Sequence, residues 1–342
     1  MKRSPIWSDL VRDHGAHLDS MRSGRRHFLR LAVAGALLGP QTVFAQSGRP
    51  LKVVVPYGPG GSVDVVMRGL GERLTRKTGR PVILDNKGGA GGSIGASVVA
   101  RANPDGDTLL MHTGTIAVEY AAGKSVPYDL KEDFAPVSMV GAGPFALIVT
   151  PSLKVNNVQD LIDMAKANPG KLNYASSGAG TSVHLAMELF KSMAGVDIVH
   201  VPYKGSGASL TALIAGEIDM MINPLVTAKT FSSDGRVRTL AVSSLNRTPL
   251  WPEMPTLNES GVPGYESSVW YGLSAPGKTP AAVVNDLSKN IQEVVAMPDT
   301  QQWLMSIGLE PVGNNPAAFR KQIDREVEIW RKLIKDANLT LY

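Results

Sequence analysis

Between Val53 and Asp64 the chain reads Val-Val-Val-Pro-Tyr-Gly-Pro-Gly-Gly-Ser-Val-Asp. An apolar run too short for a helix enters a Pro/Gly turn and leaves through Ser62, after which Val63, Val66, Met67, Leu70 and Leu74 recur at helical spacing. The stretch predicts a buried strand, a tight loop and a helix start. Such a junction presents unpaired backbone N–H groups and the positive end of a helix dipole at the carboxyl edge of a sheet, where open α/β folds bind anions. No side-chain cation is required.

The device returns in the second half of the chain. Leu172 to Ser176 reads as a short strand, Ser177-Gly178-Ala179-Gly180 as its turn, and Thr181 or Ser182 as the cap of a helix carrying Val183, Ala186, Met187, Phe190 and Met193 inward. Two such loops imply two lobes and one cleft. Val55-Pro56-Tyr57 and Val201-Pro202-Tyr203 each end an apolar run before a Gly/Ser turn, a local convergence rather than a repeat of fixed period. Tyr57, Tyr203 and Trp270, at strand ends, are candidates to line a pocket as well as to fill a core.

The first 45 residues read as a targeting segment. Arg25-Arg26-His27-Phe28-Leu29-Arg30 precedes the apolar run Leu31 to Leu38, and Val43-Phe44-Ala45 supplies a cleavage site, expected after Ala45. The paired arginines resemble a twin-arginine signal, but Gly24 stands where Ser or Thr is usual, so the Sec route stays open. The leader also explains the charge. Of 35 basic and 30 acidic residues, residues 1–45 hold 7 and 3, leaving 28 and 27. A near-neutral exported chain offers little to nucleic acid. With no cysteine, disulfides, thiolate metal sites, a Cys nucleophile and a lipid-modified Cys are all excluded.

In the remainder, apolar runs at Leu51 to Val55, Val82 to Leu84, Thr108 to Met111, Ala146 to Thr150, Leu172 to Tyr174, Ile198 to Val201 and Thr239 to Val242 alternate with helical patterns. This predicts an α/β fold with largely parallel sheets. Pro249 to Pro263 reads as loop, and the chain closes with helices over Pro280 to Ala296 and Pro316 to Ala337, the second carrying Phe319, Ile323, Val327, Trp330 and Ile334 on one stripe.

Gly91 to Gly95 fits the GxSxG pattern of a hydrolase elbow with Ser93 as nucleophile. An elbow needs that serine directly on a strand-to-helix turn, and no Asp and His partners announce themselves. An exported serine hydrolase is therefore the alternative reading. Ile94 breaks a dinucleotide fingerprint and no phosphate-loop lysine exists, so no cofactor is expected. His112, His184 and His200 lack ligand spacing, and no metal site is expected. His184, one turn into its helix, reads as a packing or helix-end residue, and Asp64 as the group that holds its loop.

Five ordered motifs, VPYGPGGSVD, LDNKGGAGGSIGASVVARANPDGDTLL, YASSGAGTSVHLAMELFK, HVPYKGSGASLTALIAGEID and VWYGLSAPGKTP, resemble the solute-binding proteins of tripartite tricarboxylate transporters, the Bug proteins. The resemblance implies a periplasmic binding protein of type II-like architecture, with two α/β lobes and a ligand cleft between them. Lobe one would comprise 47–147 plus 269–342 and lobe two 148–268. It implies a small carboxylate ligand, membrane permease subunits as partners, and a monomer. A receptor serving a sensor kinase fits the same sequence. Carried over, the ligand-binding positions are Tyr57, Gly61 and Ser62; Ala90 and Gly91; Ser176, Ser177, Gly180, Thr181 and Ser182; and Tyr203 and Lys204. Met221-Ile222-Asn223, where the family often has an aromatic, and the loop Thr113-Gly114-Thr115-Ile116 leave the ligand's distal half unassigned.

Overall fold

The computed structural model describes residues 49–336; the expected leader and its cleavage site lie outside the described residues. The opening stretch folds as its sequence dictates. Strand β1 (Leu51–Val55) runs into helix α1 (Ser62–Thr78), which buries Val63, Val66, Met67, Leu70 and Leu74 and stops at Gly79, left-handed at φ 69°. Then follow β2 (Val82–Asn86), a 3-10 turn (Ala90–Gly92), α2 (Ser93–Ala100), β3 (Thr108–Thr113) and α3 (Gly114–Ala121).

A 16-residue strand, β4 (Phe134–Val149), organises what comes next. After it come α4 (Val158–Ala167), β5 (Asn173–Ser176), α5 (Ser182–Ala194), β6 (Val199–Pro202), α6 (Ser206–Ala215), β7 (Met220–Pro224), α7 (Leu225–Ser233) and β8 (Arg238–Val242). The chain returns through β9 (Ser268–Pro276) and finishes with α8 (Ala281–Val295), α9 (Pro298–Ser306), β10 (Glu310–Pro311) and α10 (Pro316–Asp336).

The strands form two sheets that share β4. Phe134 to Pro144 pairs with β9 in the order β2-β1-β3-β9-β4-β10, and Phe145 to Val149 lies between β8 and β7 in the order β8-β4-β7-β5-β6. The change of sheet falls at Gly143-Pro144. A side chain at position 143 would stand 2.5 Å from the Gly308 carbonyl oxygen, and a proline has no N–H to leave unpaired where one ladder ends.

The expectation of largely parallel sheets needs correction. β1 is parallel to β2 and β3, and β5 to β6 and β7, but every pairing of β4 and β9 is antiparallel. β4, which serves both sheets, runs against its neighbours in each, and its Pro and Gly positions hid its length in the sequence.

The C-terminal helix α10 lies against the first sheet. Phe319, Ile323, Val327 and Trp330 are buried on the stripe read from the sequence. Its Glu326, nearly enclosed, accepts from the indole N–H of Trp270 at 2.8 Å and of Trp330 at 3.0 Å. Burial raises the carboxyl's pKa despite these bonds.

Candidate functional site

Five strands end where a helix begins, and these junctions face one another. β1 leads to α1, β3 to α3, β5 to α5, β6 to α6 and β7 to α7; Ser62, Thr115, Ser182, Ser206 and the cap Pro224 then line one narrow cleft. None of the five caps, Gly61, Thr113, Thr181, Gly205 and Pro224, bonds its own helix through a side chain. The wall is therefore made of hydroxyls and first-turn residues whose amides carry the positive ends of five dipoles.

The cleft has two chambers that meet at Tyr57 and Ser177. The inner one encloses about 390 Å³, mouth included, and adds Val63, Thr113, Val183, Val269 and Tyr271; no charged side chain lines it. The outer one, about 660 Å³, lies among Gly89 to Gly92, Ser177 to Ala179, Tyr203, Lys124 and Lys204. Counted as room for water-sized spheres, the outer chamber holds about 290 Å³, near the lower bound for small-molecule sites, whereas the inner is closed down to about 30 Å³.

The two loop sets approach backbone to backbone. A Cβ on Gly207 would meet the Pro59 carbonyl oxygen at 2.9 Å, and one on Gly178 the Gly91 Cα at 3.6 Å. Across the same cleft, Ser182 donates its amide to Thr115 Oγ1 at 3.3 Å. Behind it, Val118, Leu185 and Trp330 form an apolar contact between α3, α5 and α10.

Of the sequence-derived residues, Gly61, Ser62 and Ser182 line the inner chamber, Ala90, Gly91, Tyr203 and Lys204 the outer, and Tyr57 and Ser177 both. Ser176, Gly180 and Thr181 line neither and instead hold the loop. Ser176 Oγ bonds Gly178 and His200 Nε2, the latter at 2.7 Å; Thr181 Oγ1 donates to the Gly178 carbonyl at 2.7 Å; and the Gly180 amide donates to His184 Nδ1 at 3.0 Å.

Asp64 holds the first loop. It accepts from the Gly60 amide, from Asn86 and twice from Arg68; burial works to raise its pKa, but these bonds outweigh it and keep the carboxyl below its ordinary value. Of the two readings left open for Trp270, the structure shows the core one. Successive side chains on a strand face opposite ways, so Trp270 turns to Glu326 and its neighbour Tyr271 turns to the cleft.

Thr113, Thr115, Ser206, Pro224, Val269 and Tyr271 were not assigned from the sequence. All but Tyr271, which lies inside β9, sit near a strand end or in a first helical turn, and that position was the available signal. Lys124 was missed too. It pairs with the fully buried Glu119 at 2.5 Å and donates to the Ala90 carbonyl at 3.1 Å, which fastens a loop where Ala90 itself is held at φ 48°. Burial raises the Glu119 pKa, against the pull of Lys124 and Tyr128.

Beneath the second loop, the rings of His184 and His200 stack at 4.0 Å, beside Tyr174, whose hydroxyl donates to Glu188. Burial, and then His200, push the His184 pKa down to about 4, although Glu188 pulls the other way. Between its ordinary value of 6.5 and about 4, the unfolded chain binds a proton there that the folded chain refuses. Stability from this group is present above the unfolded value and lost as the pH falls through the folded one. Melting temperatures measured from pH 7 to 4 are expected to fall on acidification, and less steeply for His184→Gln.

The family model described as tripartite tricarboxylate transporter family receptor matches residues 66–339. The chain belongs to this family. BugT of Bordetella pertussis is 33% identical over 313 residues, covering 91% of this chain and 96% of BugT. Among solved structures, Rpa4515 of R. palustris with adipate is 36% identical at a TM-score of 0.82, covering 85% of this chain and 97% of the other. MatC of Rhodopseudomonas palustris with bound malate is 28% identical at a TM-score of 0.79, covering 84% and 99%.

The family's fold is that of the two-lobed periplasmic binding proteins, and its members are receptors rather than enzymes. Ser93 agrees with its place in such a receptor. It opens α2 after Lys87 to Gly92 instead of an elbow, and its hydroxyl donates to the Ala90 carbonyl at 2.9 Å.

Proposed function

We propose that the protein captures a small organic carboxylate in the periplasm and passes it to the membrane permease subunits of a tripartite transporter. The observation that carries this reading is the convergence of five helix N-termini on a cleft whose inner chamber has no charged side chain. Oriented amides and hydroxyls meet an anion's charge without a buried cation, and an anion held that way can leave again. The carboxylate sits where the chambers meet, between the first turn of α1 and the Ser177 to Ser182 segment, and the narrow inner chamber widens to take the ligand body.

Lobe one is then 47–147 plus 269–342 and lobe two 148–268, in a monomer exported with cleavage after Ala45. β4 and the segment entering β9 form the hinge, and the ligand favours the closed arrangement because only there do both loop sets reach it. Adipate in Rpa4515 and malate in MatC support a carboxylate as the ligand class.

A thermal-shift screen of the protein from Gln46 on, refolded to free any carried ligand, tests the reading. A true ligand at about 100 times its dissociation constant adds roughly 2.7 kcal/mol of stability, a rise of several degrees. A shift with selected carboxylates is expected, and silence across mono-, di-, tri- and aromatic acids would remove the proposal. Ser62→Ala is expected to weaken the responding acid by about 1 to 3 kcal/mol in calorimetry.

A further inference from the structure

The turn between Ser177 and Ser182 is held from beneath by one imidazole. The Gly180 amide donates to His184 Nδ1 at 3.0 Å, and an amide can only donate, so that nitrogen carries the lone pair and the neutral ring has its proton on Nε2. With Thr181 as cap, His184 is the third residue of α5, the position from which a capping-box Glu or Gln reaches back to a free amide at the helix start. Here the amide caught is one residue before the cap, at a glycine in the left-handed region, φ 74°. The acceptor is also of another kind, one that gains a proton at acid pH.

The groups around the ring are few. Among the described residues, Tyr174 faces it from β5 and His200 from β6, with ring centroids at 6.3 and 4.0 Å, and Glu188 and Lys191 face it from α5 itself. Only Glu188 favours a charged ring, and that carboxylate is already engaged by Lys191 at 2.7 Å and by the Tyr174 hydroxyl. His200 in turn sets Nε2 2.7 Å from Ser176 Oγ, at the other end of the same turn. The stacked pair thus grips the turn twice, at Ser176 and at Gly180. Ser177, which lines the inner chamber, lies between the two grips, and Ser182, which lines it too, follows directly after them.

We propose that His184 is a positioning residue for ligand capture, its Nδ1 lone pair keeping Ser177 and Ser182 in the wall of the inner chamber, and that a proton taken up at Nδ1 frees the turn and weakens ligand binding. This rests on the carboxylate reading above. A charged ring turns an N–H toward the Gly180 N–H, which it repels instead of accepting from, so proton and ligand oppose one another at one turn. The sign follows from the ring's surroundings. Binding is full while the ring is neutral and is lost as the pH falls through the ring's value, brought down to about 4 by burial and then by His200. By reciprocity, a bound ligand lowers that value further.

The test is calorimetric titration of the refolded protein with acetate, succinate, citrate and benzoate. His184→Phe keeps a flat ring without a lone pair, and is expected to bind the responding acid about tenfold more weakly at pH 7. His184→Asn puts Oδ1 in the place of Nδ1, accepts the same amide and takes up no proton, and is expected to stay within about threefold of wild type. Between pH 7 and pH 4, wild type is expected to lose about twofold in affinity relative to His184→Asn, the acid's own ionisation cancelling in the ratio. Without ligand, the Gly180 amide is expected to be protected from hydrogen exchange in wild type and His184→Asn, and open in His184→Phe. Full affinity in His184→Phe, a ratio that stays flat with pH, or an unprotected Gly180 in wild type overturns the assignment and leaves carboxylate capture standing. The pH comparison needs wild type and His184→Asn alone, so it decides even where His184→Phe does not fold. Binding of none of the four removes both readings.

Discussion

Gly207→Leu is expected to lower ligand affinity by on the order of a hundredfold, about 3 kcal/mol, without loss of folding stability. Gly207 lies in the first turn of α6, and its α-carbon faces the Pro59 to Gly61 backbone across the cleft, with 2.9 Å from a would-be Cβ to the Pro59 oxygen. Leucine needs several ångströms more than that. The backbone carbonyl cannot rotate away as a side chain could, so the two loop sets must stand apart. Leucine is also the better helix former by about 0.8 kcal/mol, so α6 itself does not suffer. The penalty falls on the closed arrangement alone. Ala208→Leu, one position along on the exposed side of the same helix, is the control. Titration of both variants with the same acid separates them; equal affinity in Gly207→Leu and wild type would show that the loop sets need not meet for binding.

Glu326→Leu is expected to destabilise the protein by about 3 kcal/mol or more, because two buried indole N–H groups lose their acceptor at about 1 to 3 kcal/mol each. Trp270 and Trp330 are both enclosed and both donate to this one carboxyl. Trp270 precedes Tyr271 on β9, and Trp330 touches Leu185, three residues beyond Ser182 on α5. The damage therefore reaches the cleft as well as the core. A melting temperature lower by roughly 6 °C is the expected reading for a chain of this size. Glu326→Gln, which keeps one acceptor oxygen, is expected to fall between. An unchanged melting temperature in Glu326→Leu would mean that water or a repacked neighbour satisfies the indoles.

Local chemistry was legible in the sequence wherever a signal lay within one turn of helix or loop. The run from Val53 to Asp64 announced its strand, loop and helix, and Asp64 its loop-holding role. Signals that depend on distant partners were silent. Gly114, Thr115 and Ile116 are poor helix formers, and Thr113 to Ile116 read as a loop; burial of Ile116, Ala117 and Val118 makes that segment the start of α3. The strand was read only from Ala146; Pro136, Gly141, Gly143 and Pro144 lie within the longer β4, beside register shifts and at its change of sheet. The pairing of Glu326 with Trp270 spans 56 residues and left no trace in either segment. In the site, the loop residues were legible as a group, but which of them face the cleft was not. Ser176 and Thr181 carry the same hydroxyl chemistry as Ser177 and Ser182 and are told apart by which way the chain turns them.

A crystal structure of the protein with the acid that responds in the thermal screen tests the central claim most directly. The account expects the carboxylate oxygens about 2.7 to 3.1 Å from N–H groups in the first turn of α1 and in the Ser177 to Ser182 segment, with the ligand body in the inner chamber. A carboxylate seated instead on Lys124 or Lys204, with the helix N-termini left to solvent, would contradict it.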